Sequence, residues 1–187
     1  MVIPYSSCPT PSQVKGRQRR LLNEWLEIQR AIDPRHDIRV EVEQANASGL
    51  PTTYRVTYDI RSICGIDDAD GKPLFAPSFV MMITLPPDYP QVDAPPEFRF
   101  VETADSPQLP WHPNIRYHGE MAGRVCLNRL NTFTSLAWGI ERVALYLRYE
   151  LYHALPTPPY PEDLKVAEWV RRKGEPNEWI FFEQDNR

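Results

Sequence analysis

Three stretches in which apolar and polar residues alternate lie close together in the first half of this chain. They limit the folds open to it more than any other feature. DIRVEVE sets Ile38, Val40 and Val42 on one side and charges on the other, and TYRVTYDIR repeats the pattern with Tyr54, Val56, Tyr58 and Ile60. SFVMMITL is more continuously apolar, as befits a strand covered more heavily, and EFRF, with Phe98 and Phe100, reads as a short fourth strand. Turn residues separate them, from Asn46 to Pro51 and from Asp67 to Pro73. Links this short join antiparallel neighbours, since a parallel pair needs a crossover of roughly a dozen residues or more. A four-stranded antiparallel meander is predicted.

Helical spacing brackets the meander. Leu21, Leu22, Trp25, Ile28 and Ile32 recur on one face of a helix that begins near Lys15 and stops at Asp33-Pro34. Lys15, Arg17, Arg19 and Arg20 crowd its first turns, against the helix dipole, and read either as a solvated face or as a docking surface. Ile140, Val143, Ala144, Leu147 and Leu151 mark a second helix with Ser135 as its cap, and a last helix is expected from about Glu162 to Arg172. A run of strands set apart from helices indicates the α+β class. At 187 residues one domain is expected. It should occupy residues 15–174, with a loose Ser/Pro arm over 1–14 and an extension over 175–187. In that extension Trp179, Ile180, Phe181 and Phe182 favour packing.

Composition narrows the function classes. Lys+Arg 21 against Asp+Glu 25 leaves a net charge of −4, which is no footprint for general nucleic-acid binding. No apolar run is long enough to span a bilayer, and the N-terminal residues do not read as a secretory signal. Cys8, Cys64 and Cys126 are an odd set without paired spacing, so a reducing, cytoplasmic setting is expected. IDDADGKP lacks the bidentate Glu of a calcium loop, and no close CxxC or HxxxH pair supports zinc. No metal and no cofactor is expected.

Chemistry concentrates in WHPNIRYHGEMAGRVCLN. Cys126 follows a loop holding Gly119 and Gly123, with Arg124 nearby as a cation of the kind that stabilises a thiolate. Asn114 has a neutral amide that either donates to a developing oxyanion or braces its own turn. His112, locked ahead of Pro113, reads as a structural donor rather than a base. His118, in a polar loop, is the other imidazole a Cys–His hydrolase would need.

In order along the chain stand KGRQRRLLNEWLEIQ, the meander, LPPDYPQVDAPPEFRF, HPNI, GRVCL, an amphipathic helix and PTPPYPED. This order resembles the ubiquitin-conjugating enzyme family, with its P-x-x-Y-P-x-x-P-P signature, its HPN motif and its catalytic cysteine. The resemblance runs from Lys15 to Arg172. It implies the ubiquitin-conjugating fold and a carrier reaction, in which Cys126 takes the C-terminal carboxyl of a ubiquitin-like protein as a thioester and yields it to an amine on a target protein. It further implies Asn114 as oxyanion donor or loop support and His112 as a structural brace. Asn128 becomes a polar group on the acceptor side, and Asp163, with Glu162, an acidic gate. Lys15, Arg17, Arg19 and Arg20 become the docking surface for an activating enzyme.

The chain also departs from the family pattern. IRYHGEMAGRV lengthens the link from HPN to Cys126, Asn128 stands where many members carry Asp, and Thr134-Ser135-Leu136 replaces Trp-Ser-Pro. These departures resemble bacterial relatives, which are typically encoded with their own ubiquitin-like protein and activating enzyme, often in antiviral operons. A rival from another class is a non-catalytic module of the same fold that binds ubiquitin-like proteins, although such variants typically lack the cysteine.

Overall fold

The computed structural model describes residues 9, 11–91, 93–127 and 135–182. Of the arm expected over 1–14, residues 1–8 and 10 lie outside the described residues. Its end is not loose: Pro11–Gln13 form a 3-10 turn and Val14 is buried in the core.

Helix α1 spans Gly16–Ile32, and its five apolar positions, Leu21, Leu22, Trp25, Ile28 and Ile32, are all buried. Strands β1 (Ile38–Ala45), β2 (Pro51–Tyr58), β5 (Phe79–Thr84) and β6 (Glu97–Val101) form one antiparallel sheet in the order β1-β2-β5-β6. The period of two holds across it. Tyr54, Val56 and Tyr58 share the core face with Phe79, Met81, Ile83, Phe98 and Phe100, and Val56 lies opposite both Val40 and Met81. Helix α2 (Leu136–Leu147) buries Ile140, Val143, Ala144 and Leu147 in the same core. It approaches the sheet closely at Gly139, where an added Cβ would stand 2.7 Å from the Phe98 ring.

The meander is real, but the Asp67–Pro73 turn does not join two of its strands. It closes a separate hairpin of β3 (Ser62–Ile66) and β4 (Pro73–Ala76). The continuous run TYRVTYDIR hid this, because the chain leaves the sheet after Tyr58 while Ile60 stays buried. The expected last helix forms, with bounds two residues later and a change of helix type. Helix α3 covers Leu164–Trp169 and continues as a π-helical turn over Val170–Gly174. Around it lies a second core in which Trp111, Tyr149, Val166, Trp169 and Ile180 pack against Ile63 of β3. The C-terminal residues join this cluster: Trp179 stacks on Trp169, and Phe182 meets Phe75 edge-on at 5.0 Å. Among the described residues no helix is long and apolar enough to cross a membrane.

One buried acid ties three elements together. Glu24, on the core side of α1, accepts from the Tyr89 hydroxyl at 2.5 Å and from the Leu136 N–H at 2.7 Å. Its other partner is the Arg20 guanidinium, one turn earlier at 2.5 Å. The carboxylate thereby fastens the start of α2 and the Tyr89 loop to α1, and the guanidinium balances its charge. Breaking a buried pair leaves the surviving partners unmatched, which costs several kcal/mol. Glu24→Ala is expected to lower stability in urea unfolding by about 3 kcal/mol. Glu27→Ala, on the exposed side of the same helix, should change it by less than about 0.5 kcal/mol.

Candidate active site

The segment from His112 to Cys126 folds as an irregular hairpin. The Cys126 N–H donates to the Asn114 carbonyl at 2.8 Å, the Arg116 N–H to the Arg124 carbonyl at 2.8 Å, and the Gly123 N–H to the Arg116 carbonyl at 2.7 Å. Its second arm also pairs with β6, through Val125 N–H to Phe98 carbonyl (2.9 Å) and Phe100 N–H to Gly123 carbonyl (2.8 Å). The long link therefore does not part Asn114 from Cys126: residues 117–122 loop outward while the two arms stay in register. Gly123 is required at this junction. Its φ is +85°, and a Cβ there would lie 2.1 Å from the Phe100 carbonyl oxygen. Arg99 holds the loop from outside, donating to the carbonyls of Ala122 (3.1 Å) and Glu120 (3.0 Å).

His112 is wholly buried, and its Nδ1 accepts the Asn114 N–H at 3.1 Å. Its ring stacks on Tyr146 at 4.9 Å and meets Tyr149 edge-on at 4.8 Å. Burial pushes its pKa down to about 3, so the imidazole stays neutral and keeps the lone pair that this bond needs. Asn114 is almost fully buried, and its Oδ1 accepts the His153 N–H at 2.9 Å, bracing the segment that follows α2. Among the described residues nothing accepts from its Nδ2. Cys126 is half-buried. Its carbonyl accepts from the Tyr146 hydroxyl at 3.2 Å.

Both acids expected to line the site are bonded to groups of their own chain. Asp163 is buried, and its Oδ2 accepts the N–H groups of Tyr117 (3.0 Å) and His118 (3.1 Å) and lies 2.9 Å from the His118 Nδ1. Its Oδ1 accepts from the N–H groups of Lys165 (3.1 Å) and Val166 (3.2 Å), capping α3. Burial alone would raise its pKa; the bonds, led by the one to the His118 ring, outweigh burial and hold the carboxyl below its usual range. Glu162 pairs with Arg124 at 2.6 Å and Arg116 at 3.4 Å. The two acids expected at the gate thus form a cap and an ion pair within their own chain, with both Arg contacts falling on the Glu162 Oε1. Arg124, read as a cation serving Cys126, is committed to Glu162.

Asn128 lies outside the described residues. The basic cluster on α1 is divided. Lys15 and Arg19 are exposed. Arg17 donates to the Tyr89 carbonyl at 2.9 Å, and Arg20 to Glu24, so these two lock the Tyr89 loop to the helix. Sequence reasoning passed over Tyr146 and Glu24. Helical spacing from Val143 marks Tyr146 as buried, but nothing local reveals that its hydroxyl meets Cys126.

No protein-family model matches the sequence, and no curated protein does. Solved structures do. A candidate ubiquitin conjugating enzyme from Plasmodium yoelii aligns over 89% of this chain and 91% of its own, at 20% identity and a TM-score of 0.50. The chain has the ubiquitin-conjugating fold. Ubiquitin conjugating enzymes from Plasmodium falciparum and Plasmodium vivax also align, each over 68% of this chain at 19% identity and a TM-score of 0.45, covering 95% and 98% of their own lengths. The ubiquitin-conjugating fold agrees with the α+β architecture expected from the strand and helix periods, with an N-terminal helix, an antiparallel four-stranded sheet and C-terminal helices.

Within this ubiquitin-conjugating fold the buried His112 leaves a pH signature. In the unfolded chain the imidazole titrates near ~6.5, and in the folded one only near about 3. Between those values only the unfolded state takes up the proton. Stability therefore rises with pH across that window by up to about 1.4 kcal/mol per pH unit, and the contribution is lost as pH falls toward the folded value. Urea unfolding followed from about pH 4 to 7 should show this slope, and His112→Phe, which retains an aromatic ring, should lose it.

Proposed function

We propose that this chain carries a ubiquitin-like protein as a thioester on Cys126 and passes it to an amine on a target protein. The observation that carries the reading is the backbone pairing of Cys126 with Asn114 at 2.8 Å across the hairpin. It sets a half-exposed thiol beside a residue whose side-chain amide still has donors to offer.

In the first step the Cys126 sulfur attacks the thioester carbonyl presented by a charged activating enzyme. A carbon–sulfur bond forms to Cys126, and the bond to the enzyme's sulfur breaks. In the second step the amine of an acceptor lysine attacks the same carbonyl, and Cys126 leaves as a thiolate. Both steps pass through a tetrahedral oxyanion, and the Asn114 Nδ2 is the donor proposed for it. One such donor is worth roughly 3–4 kcal/mol of transition-state stabilisation where it faces the oxyanion. A thiolate leaves readily, so the leaving group needs little acid catalysis.

The chemistry of the two histidines favours a carrier over a thiol hydrolase. A hydrolase needs an imidazole base in hydrogen-bond reach of its thiol. His112 is buried with its Nδ1 on the Asn114 N–H, and His118, held at Nδ1 by Asp163, would have to bring its Nε2 to the thiol. Among the described residues neither ring hydrogen-bonds Cys126. The partners of this reading are a ubiquitin-like protein, an activating enzyme and a protein substrate, with Lys15 and Arg19 as exposed cations at the start of α1 available to the activating enzyme. The rival reading is a non-catalytic module that binds ubiquitin-like proteins, and it leaves the half-exposed cysteine without a role.

The test is a mass measurement after mixing the chain with its activating enzyme, ATP and its ubiquitin-like partner. A reductant-sensitive adduct is expected that survives Cys8→Ala and Cys64→Ala and disappears in Cys126→Ala. No adduct from a charged activating enzyme would overturn the reading. Asn114→Ala should still charge, with discharge to free lysine slowed about 100-fold; unchanged discharge would remove Asn114 from the oxyanion role.

A further inference from the structure

Both peptide groups of Cys126 are held, and by different elements. On the N-terminal side its N–H donates to the Asn114 carbonyl at 2.8 Å. On the C-terminal side its carbonyl accepts from the Tyr146 hydroxyl at 3.2 Å. Tyr146 belongs to α2, twenty residues along the chain, and its ring is stacked at 4.9 Å and 20° on His112, whose Nδ1 in turn holds the Asn114 N–H. One side chain thus touches the turn that presents Asn114 and the backbone that presents Cys126.

A fourth group completes the unit. The Arg142 Nε donates to the Tyr146 oxygen at 3.1 Å. Its guanidinium lies 5.1 Å from the Trp138 ring centroid and 5.6 Å from that of Tyr146. Desolvation keeps the Tyr146 phenol protonated, so it remains a donor to Cys126. A cation donating to the phenol oxygen polarises the O–H and strengthens the bond it gives. Arg142 has neutral partners here, a hydroxyl and two ring faces, in contrast to Arg124 and Arg116, which pair with Glu162.

We infer that Tyr146, backed by Arg142, is a positioning residue for acyl transfer: its hydroxyl fixes the Cys126 peptide against the His112–Asn114 turn, so that attack by the sulfur and donation by the Asn114 amide meet at one carbonyl. The inference rests on the carrier reading. Its physical content is alignment. A reaction that develops an oxyanion needs sulfur and amide in register, and a misplacement of about 1 Å can cost about 100-fold in rate. Displacement at a saturated carbon develops no oxyanion and needs the thiol alone. The two reactions should therefore respond differently when the clamp is removed.

The experiment uses the full chain with two small probes, read at Cys126 by mass spectrometry. The 2-mercaptoethanesulfonate thioester of acetyl-Gly-Gly donates an acyl group: the Cys126 sulfur bonds to its carbonyl and the sulfonate thiolate departs. Iodoacetamide alkylates the same sulfur with loss of iodide. Tyr146→Phe keeps the ring on His112 and removes only the hydroxyl. Acyl transfer is expected to fall about tenfold while alkylation stays within about twofold, and Arg142→Gln, with the hydroxyl present but no longer polarised, should fall part of the way. Equal acyl-transfer rates in wild type and Tyr146→Phe would overturn the inference, as would a parallel fall in both reactions. If Tyr146→Phe does not fold, Arg142→Gln carries the same comparison. A wild-type chain that alkylates at Cys126 but accepts no acyl group would overturn the carrier reading itself, and the inference with it.

Discussion

A short antiparallel pairing, with the Cys126 N–H on the Asn114 carbonyl and the Arg116 N–H on the Arg124 carbonyl, supports everything else at this site. Backbone groups buried in an irregular segment need partners, and here the two arms of the segment supply each other. That exchange fixes register, and register decides which side chains become neighbours. It also makes the length of the intervening loop immaterial, since residues beyond the last paired position add only excursion. Through Val125 and Gly123 the same arm continues onto β6, so the cysteine is held by the sheet rather than by a free loop.

The acids around this frame serve the frame. Asp163 gathers N–H groups from Tyr117 and His118 on one oxygen and from Lys165 and Val166 on the other, which locks the outward loop to the start of α3. Glu24 does the same for α1, the Tyr89 loop and α2. Each carboxylate is buried, each is matched by several donors, and each joins segments distant in sequence. Glu162 differs in being paired with two guanidinium groups, while a third cation, Arg142, is held by aromatic faces.

Much of the fold was legible because it rests on short-range periodicity. Alternation at Ile38, Val40 and Val42 and at Tyr54, Val56 and Tyr58 marks core-facing strand positions without reference to any partner, and the spacing of Leu21, Trp25 and Ile28 does so for α1. The β3–β4 hairpin was not legible, because Ser62 to Ile66 is too short to declare a period and its burial comes from Trp111 and Tyr149 far along the chain. Of the site, Cys126, Asn114 and His112 stood out by residue type in a Gly-punctuated loop. The distant partners of Asp163 were not legible, because its second oxygen is met by Tyr117 and His118, which arrive from far along the chain. The division of the basic cluster on α1 was hidden in the same manner, since Arg17 and Arg20 have partners near Tyr89 that no local pattern reveals.

The sequence by itself determined the four strands of the main sheet, the helices, their order and the one segment dense in reactive side chains, because those follow from spacing and residue chemistry within a few turns of chain. Only the tertiary structure decided that Asn114 lies across from Cys126 despite the long link, that Asp163 is a cap, and that a tyrosine on α2 holds the cysteine carbonyl. Apart from the two local bonds of the Asp163 cap, these are hydrogen bonds between residues a dozen or more positions apart in the chain. Their existence depends on register and packing, which no local pattern of residues encodes.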